Sequence, residues 1–249
     1  MKIPAKAIVL LVLPFFLNDL AVVFLKLAVM PTESLAYFYH KMPWIGETLV
    51  AWQPASLAMS PYRLPLLWGQ DLIVFVAIPA VFFFVFFKKQ LLDRKSLGLG
   101  SLPSLWDCGY SLILALQLFL VAKFIRYVLL EIHPPLEIFG WFNYDFPPSF
   151  PWQILTILYA CVSAAVVEEL IFRGLLIPWL QSRGWNTWAA ILISAFLFAG
   201  IHWCQGPVQL ASTFVFGLIT GITFSSSGKL WPLILAHFFI NLAAFWPSS

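Results

Sequence analysis

The chain has 249 residues, 61% of them hydrophobic and only 10% charged, with a mean hydropathy of +0.90. Soluble domains carry roughly 25% charged residues, so a water-facing surface cannot be assembled from this composition and a soluble globular protein is excluded. The formal charge of +3 is small and the basic residues are scattered, apart from "KKQLLDRK" at 88 to 95, which argues against a nucleic-acid partner.

In chain order, the start "MKIPAKAIVLLVLPFFL" has the basic-then-apolar look of a signal peptide. No small-x-small cleavage site follows and the run continues as "NDLAVVFLKLAV", so a retained first span is expected over 7 to 30. A loop from 31 to 64, rich in Pro, Tyr and Trp, reads as interfacial. The second span, 65 to 87, stops at Lys88 and Lys89, and the third covers 106 to 130. Next comes "HPPLEIFGWFNYDFPPSFPW", whose tryptophans suit a membrane interface. A fourth span runs from Trp152 to Pro178, before "QSRGWNT". The fifth covers 187 to 204, the sixth 208 to 224, closed by "SSSGK", and the seventh starts at Trp231 and Pro232.

These runs are continuous rather than alternating, which excludes barrel strands. They predict an all-α, polytopic transmembrane helical bundle of about seven spans. Residues 1–150 form an N-terminal transmembrane region and residues 151–249 the part that carries chemistry; no linker or repeat divides them. With seven spans, Lys2, Lys6, the 88–95 cluster, Arg183 and Lys229 fall on one side, which the positive-inside rule makes cytoplasmic. Cys108, Cys161 and Cys204 form no CxxC pattern and read as small buried hydrophobes.

The stretch "AAVVEELIFRGLL", 164 to 176, breaks the apolar pattern. Glu168 and Glu169 are the only acidic residues between 152 and 249, and His202 and His237 the only histidines. Such groups cost roughly 2.5–3.5 kcal/mol each on insertion scales, so each calls for a partner or a task. Glu169 and Arg173 are spaced i, i+4 and pair on one helical face. Glu168 is rotated by about 100° and has Phe172 at its own i+4 position, which leaves it as the candidate for chemistry. Phe198 and His202 share the i, i+4 spacing in "FAGIH", with Ser194 one turn earlier, and so do His237 and Asn241 in "HFFIN". Taken singly, a Glu–Arg pair is a packing device, a membrane histidine is hydrogen-bonded to a neighbour, and an HxxxN pair joins helices. Their joint occurrence on three helices, with almost no other charge nearby, favours a site over structural glue.

The ordered set of EExxxR, FxxxH and HxxxN over roughly 150 to 246 resembles the CPBP family of intramembrane proteases. That family includes the CAAX prenyl endopeptidases and the Abi-type bacteriocin-immunity proteins. The resemblance implies an intramembrane endopeptidase that cuts near the membrane-anchored C-terminus of a lipid-modified or membrane-anchored protein substrate. On that reading Glu168 and His202 activate water, His237 and Asn241 donate to the tetrahedral oxyanion, and Glu169 with Arg173 fixes the helix that positions Glu168.

Family members have been described both as metalloproteases and as glutamic-type proteases. Glu168, His202 and His237 would supply a His₂Glu zinc set. With no HExxH, and with Glu168 then lost as base, the metal-free form without cofactor is favoured. The alternatives in other classes are a non-catalytic Abi-type immunity or scaffold protein and an ion or proton pathway. A pathway needs polar groups reaching both membrane faces, and here they cluster in one zone. An integral, multi-pass protein of a bacterial-type inner or plasma membrane is expected. Depth is the unresolved point: Glu168 lies about 24 Å along its helix from Trp152 at 1.5 Å per residue, whereas His202 falls toward the outer end of the fifth span. These agree only if the fourth helix is tilted, extended or starts later. With His202 as the marker, the site opens outward.

Overall fold

The computed structural model describes residues 3–28, 69, 72–100, 102–132 and 151–246, with the side chains of 19–28 and 204 left aside. The readings of 31–64 and of most of the Pro/aromatic loop before Trp152 lie outside the described residues. Among the described residues there are seven longer helices, one short 3-10 turn (Trp203–Gln205) and no strand: α1 (Ala5–Ala28), α2 (Ile73–Lys88), α3 (Leu105–Ile132), α4 (Trp152–Ser182), α5 (Thr187–Gly200), α6 (Pro207–Ser227) and α7 (Trp231–Phe245). Three of them, α3, α4 and α6, are long and apolar enough to cross a membrane, and α1, α2, α5 and α7 contain shorter apolar helices. The all-α bundle and its segment order follow the hydropathy pattern, and the protein is an integral membrane protein.

The outward surface has the same cause as the composition. Leu112, Ile113, Leu116, Leu120 and Phe124 of α3 are all exposed, a stripe that water would not tolerate and that hydrocarbon solvates at no cost. Cys108 lies on an exposed part of this helix, unlike Cys161, which is buried in α4. Its expected burial is corrected accordingly: a lipid-facing position suits a small apolar residue as well as a core does.

Inside, α7 packs against α3 and α4, while α6 packs against α5 and α3. Gly217 of α6 lets two backbones meet, since a Cβ there would lie 2.9 Å from the Ala195 Cα. Gly109 on α3 has nothing within 4 Å of that position. Gly217→Val is therefore expected to destabilise the protein by about 1–3 kcal/mol through overpacking, whereas Gly109→Ala raises stability by up to about 1 kcal/mol through helix propensity. Thermal unfolding in detergent distinguishes the two; a neutral Gly217→Val would show that α5 and α6 do not rely on this approach.

One end of the bundle is held by polar contacts. The Ile3 carbonyl accepts hydrogen bonds from Trp179 Nε1 at 2.8 Å and Arg183 Nη2 at 3.0 Å. Lys229 pairs with Asp107 at 2.9 Å, and the Leu230 N–H donates to the Gly98 carbonyl at 3.0 Å. Asp107 and Ser104 form a reciprocal cap on α3, with the Ser104 N–H donating to Asp107 Oδ2 at 2.9 Å and the Asp107 N–H to Ser104 Oγ at 3.2 Å. The N-terminal turn of α1, the loop after Lys88, the α4–α5 turn and the α6–α7 turn are thus tied at this end, the arrangement that the distribution of basic residues implied.

Candidate functional site

The glutamates sit where α4 changes its winding. Regular α-helix runs from Trp152 to Glu169, a π-helical stretch follows over Leu170–Leu176, and α-helix resumes at Ile177. A π turn leaves the carbonyl ladder out of register and is frequent at functional positions. Here Ser194 Oγ of α5 donates to the Phe172 carbonyl at 2.6 Å, a buried bond that satisfies a carbonyl of the widened turn. The sequence has no compositional signal for it.

Glu168, Glu169, Arg173 and His237 form one buried cluster. Arg173 Nη1 lies 3.1 Å from Glu169 Oε1, with both side chains fully buried. This is the ion pair that the i, i+4 spacing led one to expect, and it persists although Arg173 falls within the π turn. The three guanidinium nitrogens nonetheless have no conventional hydrogen-bond partner, so the pair is one of charge rather than of aligned donor and acceptor. Instead the guanidinium lies 4.2 Å from the Phe198 ring centroid and 5.5 Å from that of Phe216, where ring quadrupoles favour a cation.

From α7, His237 enters between the glutamates. Its Nδ1 is 3.0 Å from Glu169 Oε1 and its Nε2 is 3.8 Å from Glu168 Oε2. A carboxylate at Nδ1 places the proton there and turns Nε2 toward Glu168. Glu169 therefore has two partners, Arg173 and His237, where the sequence spacing revealed one.

His202 is placed differently from expectation. The fifth span was read as continuing to 204, but α5 ends at Gly200, and His202 stands in the turn before α6. The His202 N–H bonds the Ala199 carbonyl at 2.9 Å, a tightened turn, while the Phe198 carbonyl accepts from the imidazole Nδ1 at 2.9 Å. The side chain thus takes the acceptor that a continuing helix would have used for its backbone. In the neutral ring this leaves His202 Nε2 as the nitrogen without a proton. Its ring lies 5.0 Å from that of Phe198, which is 6.1 Å from that of His237. Asn241 lies one turn beyond His237 on α7 and is half-buried.

The depth conflict disappears when distances are measured from the α4–α5 turn. α4 is 31 residues long, about 46 Å at 1.5 Å per residue, so Trp152 was a poor origin. Glu168 lies about 22 Å from Arg183 along α4, and α5 rises about 21 Å from the same turn before His202, so the two residues are at comparable distances from the basic end.

For zinc, Glu168, His202 and His237 would have to converge. Among the described residues no three His, Cys, Asp or Glu side chains are grouped to hold a metal ion. Glu168, His202 and His237 as they stand do not fit a zinc ion.

Comparison with known proteins falls on the same helices. Residues 150–243 match the family model described as Type II CAAX prenyl endopeptidase Rce1-like. An uncharacterized 24.3 kDa protein of Escherichia coli is 37% identical over 91 residues, which cover 36% of this chain and 42% of that protein. The sporulation-killing factor biosynthesis protein SkfC of Bacillus subtilis (strain 168) is 32% identical over 85 residues, or 32% of this chain and 17% of that one. The chain thus spans less than half the length of these curated relatives. No solved structure matches it. The likeness read from the three motifs is borne out over the segment that contains all of them.

Proposed function

We propose that this Rce1-like segment is an intramembrane endopeptidase of the glutamic type, acting on a membrane-anchored or lipid-modified protein. The observation that carries the proposal is the buried cluster in which His237 is held at Nδ1 by Glu169 and faces Glu168 with Nε2, at 3.0 and 3.8 Å. Glu168 is the base: it takes a proton from a water whose oxygen attacks the scissile carbonyl carbon. His202, with its Nδ1 proton committed to the Phe198 carbonyl, offers the bare Nε2 that holds this water as an acceptor. The oxyanion formed accepts from His237 Nε2 and from the Asn241 amide. Donation from Nε2 requires the imidazolium, whose charge is balanced by the two flanking carboxylates. Collapse of the tetrahedral intermediate breaks the C–N bond, and Glu168 returns its proton to the departing amine. Each oxyanion donor is worth roughly 3 kcal/mol in proteases where one has been removed.

The level of the site supports an opening away from the basic end, and by the positive-inside rule that is the external face. Externally anchored substrates fit such an opening; a prenylated cytoplasmic tail would need the other face. The reading is tested with purified protein in detergent against C-terminally anchored and prenylated reporter peptides, with and without a strong zinc chelator. Chelator-resistant cleavage is the expected result, and complete loss on chelation would replace the metal-free mechanism. Asn241→Ala should lower kcat about 10²–10³-fold with little change in KM; unchanged kcat would remove Asn241 from the oxyanion site.

A further inference from the structure

We propose that Phe216 is a positioning residue of this site, holding the imidazole of His237 and the guanidinium of Arg173 in place. It lies on α6, a helix that carries none of the three motifs. Its ring stacks on that of Phe198, with centroids 5.6 Å apart and planes at 25°. The same ring meets the His237 imidazole edge-on, at 4.8 Å and 61°, and lies 5.5 Å from the Arg173 guanidinium. Phe198 makes contacts with the same two groups, at 6.1 Å and 4.2 Å. Two stacked rings from neighbouring helices therefore touch both partners of Glu169.

An aromatic side chain is required for a definite reason. The guanidinium nitrogens lack conventional hydrogen-bond acceptors, and a buried cation in that condition is held by carboxylate charge and π faces together. An aliphatic side chain would fill the volume and supply no quadrupole. Against His237 the ring acts as a wall. The imidazole has one strong hydrogen bond, at Nδ1, about which it would otherwise swing, and an edge-on ring limits that rotation. The placement of Phe216 follows from its neighbour: Gly217 lets α6 close on Ala195 to a distance that admits no Cβ, which fixes the height of the ring against α5.

The kinetic part of this inference rests on the protease reading; the positioning part does not. The test uses full-length protein in detergent with ¹⁵N-labelled histidine, the His237 resonances being identified by their loss in His237→Gln. Wild type should display one fixed His237 ring whose Nδ1 proton is held against Glu169, whether or not Nε2 is also protonated. Phe216→Leu should move these resonances toward those of an imidazole in free proton exchange, and Phe216→Tyr should restore them. If the protease reading holds, Phe216→Leu also lowers kcat about tenfold or more, with KM little changed, and Phe216→Tyr recovers most of it. A His237 pattern unchanged in folded Phe216→Leu protein overturns the proposal, and so does a Phe216→Tyr protein as perturbed as Phe216→Leu. Should Phe216→Leu fail to fold, Phe216→Met is read by the same criterion. An altered His237 pattern with no cleavage by wild type supports the role of Phe216 and counts against the protease reading.

Discussion

Arg173→Leu should destabilise the protein by about 3–5 kcal/mol, the cost of leaving one member of a buried ion pair without the other. Arg173 is fully buried, as is Glu169, its partner at 3.1 Å. Leucine fills much of the volume but removes the charge, leaving His237 as the remaining partner of the Glu169 carboxylate. The second arm is the double variant Arg173→Leu with Glu169→Gln, in which neither charge remains. It should be markedly more stable than Arg173→Leu alone, since replacing both members of a buried pair is often near neutral. Thermal unfolding of the purified variants reads both. Additive losses in the double variant would mean that the two side chains stabilise the helix independently.

Glu168→Gln is expected to have the complementary signature: loss of cleavage by about 10³-fold or more, with no loss of stability. The catalytic estimate combines general-base catalysis, typically worth 10²–10⁴, with the poor basicity of an amide. The stability expectation follows from shape and distance: glutamine has the shape of Glu168, and the contact to His237 Nε2, at 3.8 Å, is longer than a hydrogen bond. Combining Glu168→Gln with His237→Ala should cost little beyond the worse single change, since groups that act as a unit are strongly non-additive. Cleavage of the best reporter found in the panel gives the rates. Equal cleavage by wild type and Glu168→Gln would show that Glu168 is not the base; persistence of a cellular phenotype in that variant would favour a scaffold role.

Much of this arrangement was legible because charge in an apolar chain is conspicuous. Three ionisable residues within six positions of a hydrophobic run identified α4 as the centre, and helical periodicity was enough to pair Glu169 with Arg173. Segment order followed from hydropathy, and the shared side of the basic residues followed from segment order. Features that depend on one helix meeting another were not legible. The contact between Glu169 and His237 joins residues on α4 and α7, and no local pattern encodes it. Phe216 is one of 25 phenylalanines, in a run where every apolar residue looks alike. The π turn over Leu170–Leu176 is answered by Ser194 across the bundle, so its cause is tertiary. His202 left its helix because an imidazole competed for a backbone carbonyl, an outcome that i, i+4 spacing describes equally well as a continuing helix.

The brevity of α5 has a consequence for the surrounding lipid. Its 14 residues span about 21 Å, well short of a hydrocarbon core of about 30 Å, and the chain then turns back through 201–206 before α6. Irregular backbone is tolerated at such a depth only against protein or water; this turn rests in part on α1, with Ile201 and Gly206 buried, and Trp203 faces outward. On the proposed reading hydrolysis consumes water, and a thinned leaflet over this turn would bring that water toward Glu168. Acyl-chain length would then throttle the proposed reaction, short-chain lipids speeding it and long-chain lipids slowing it.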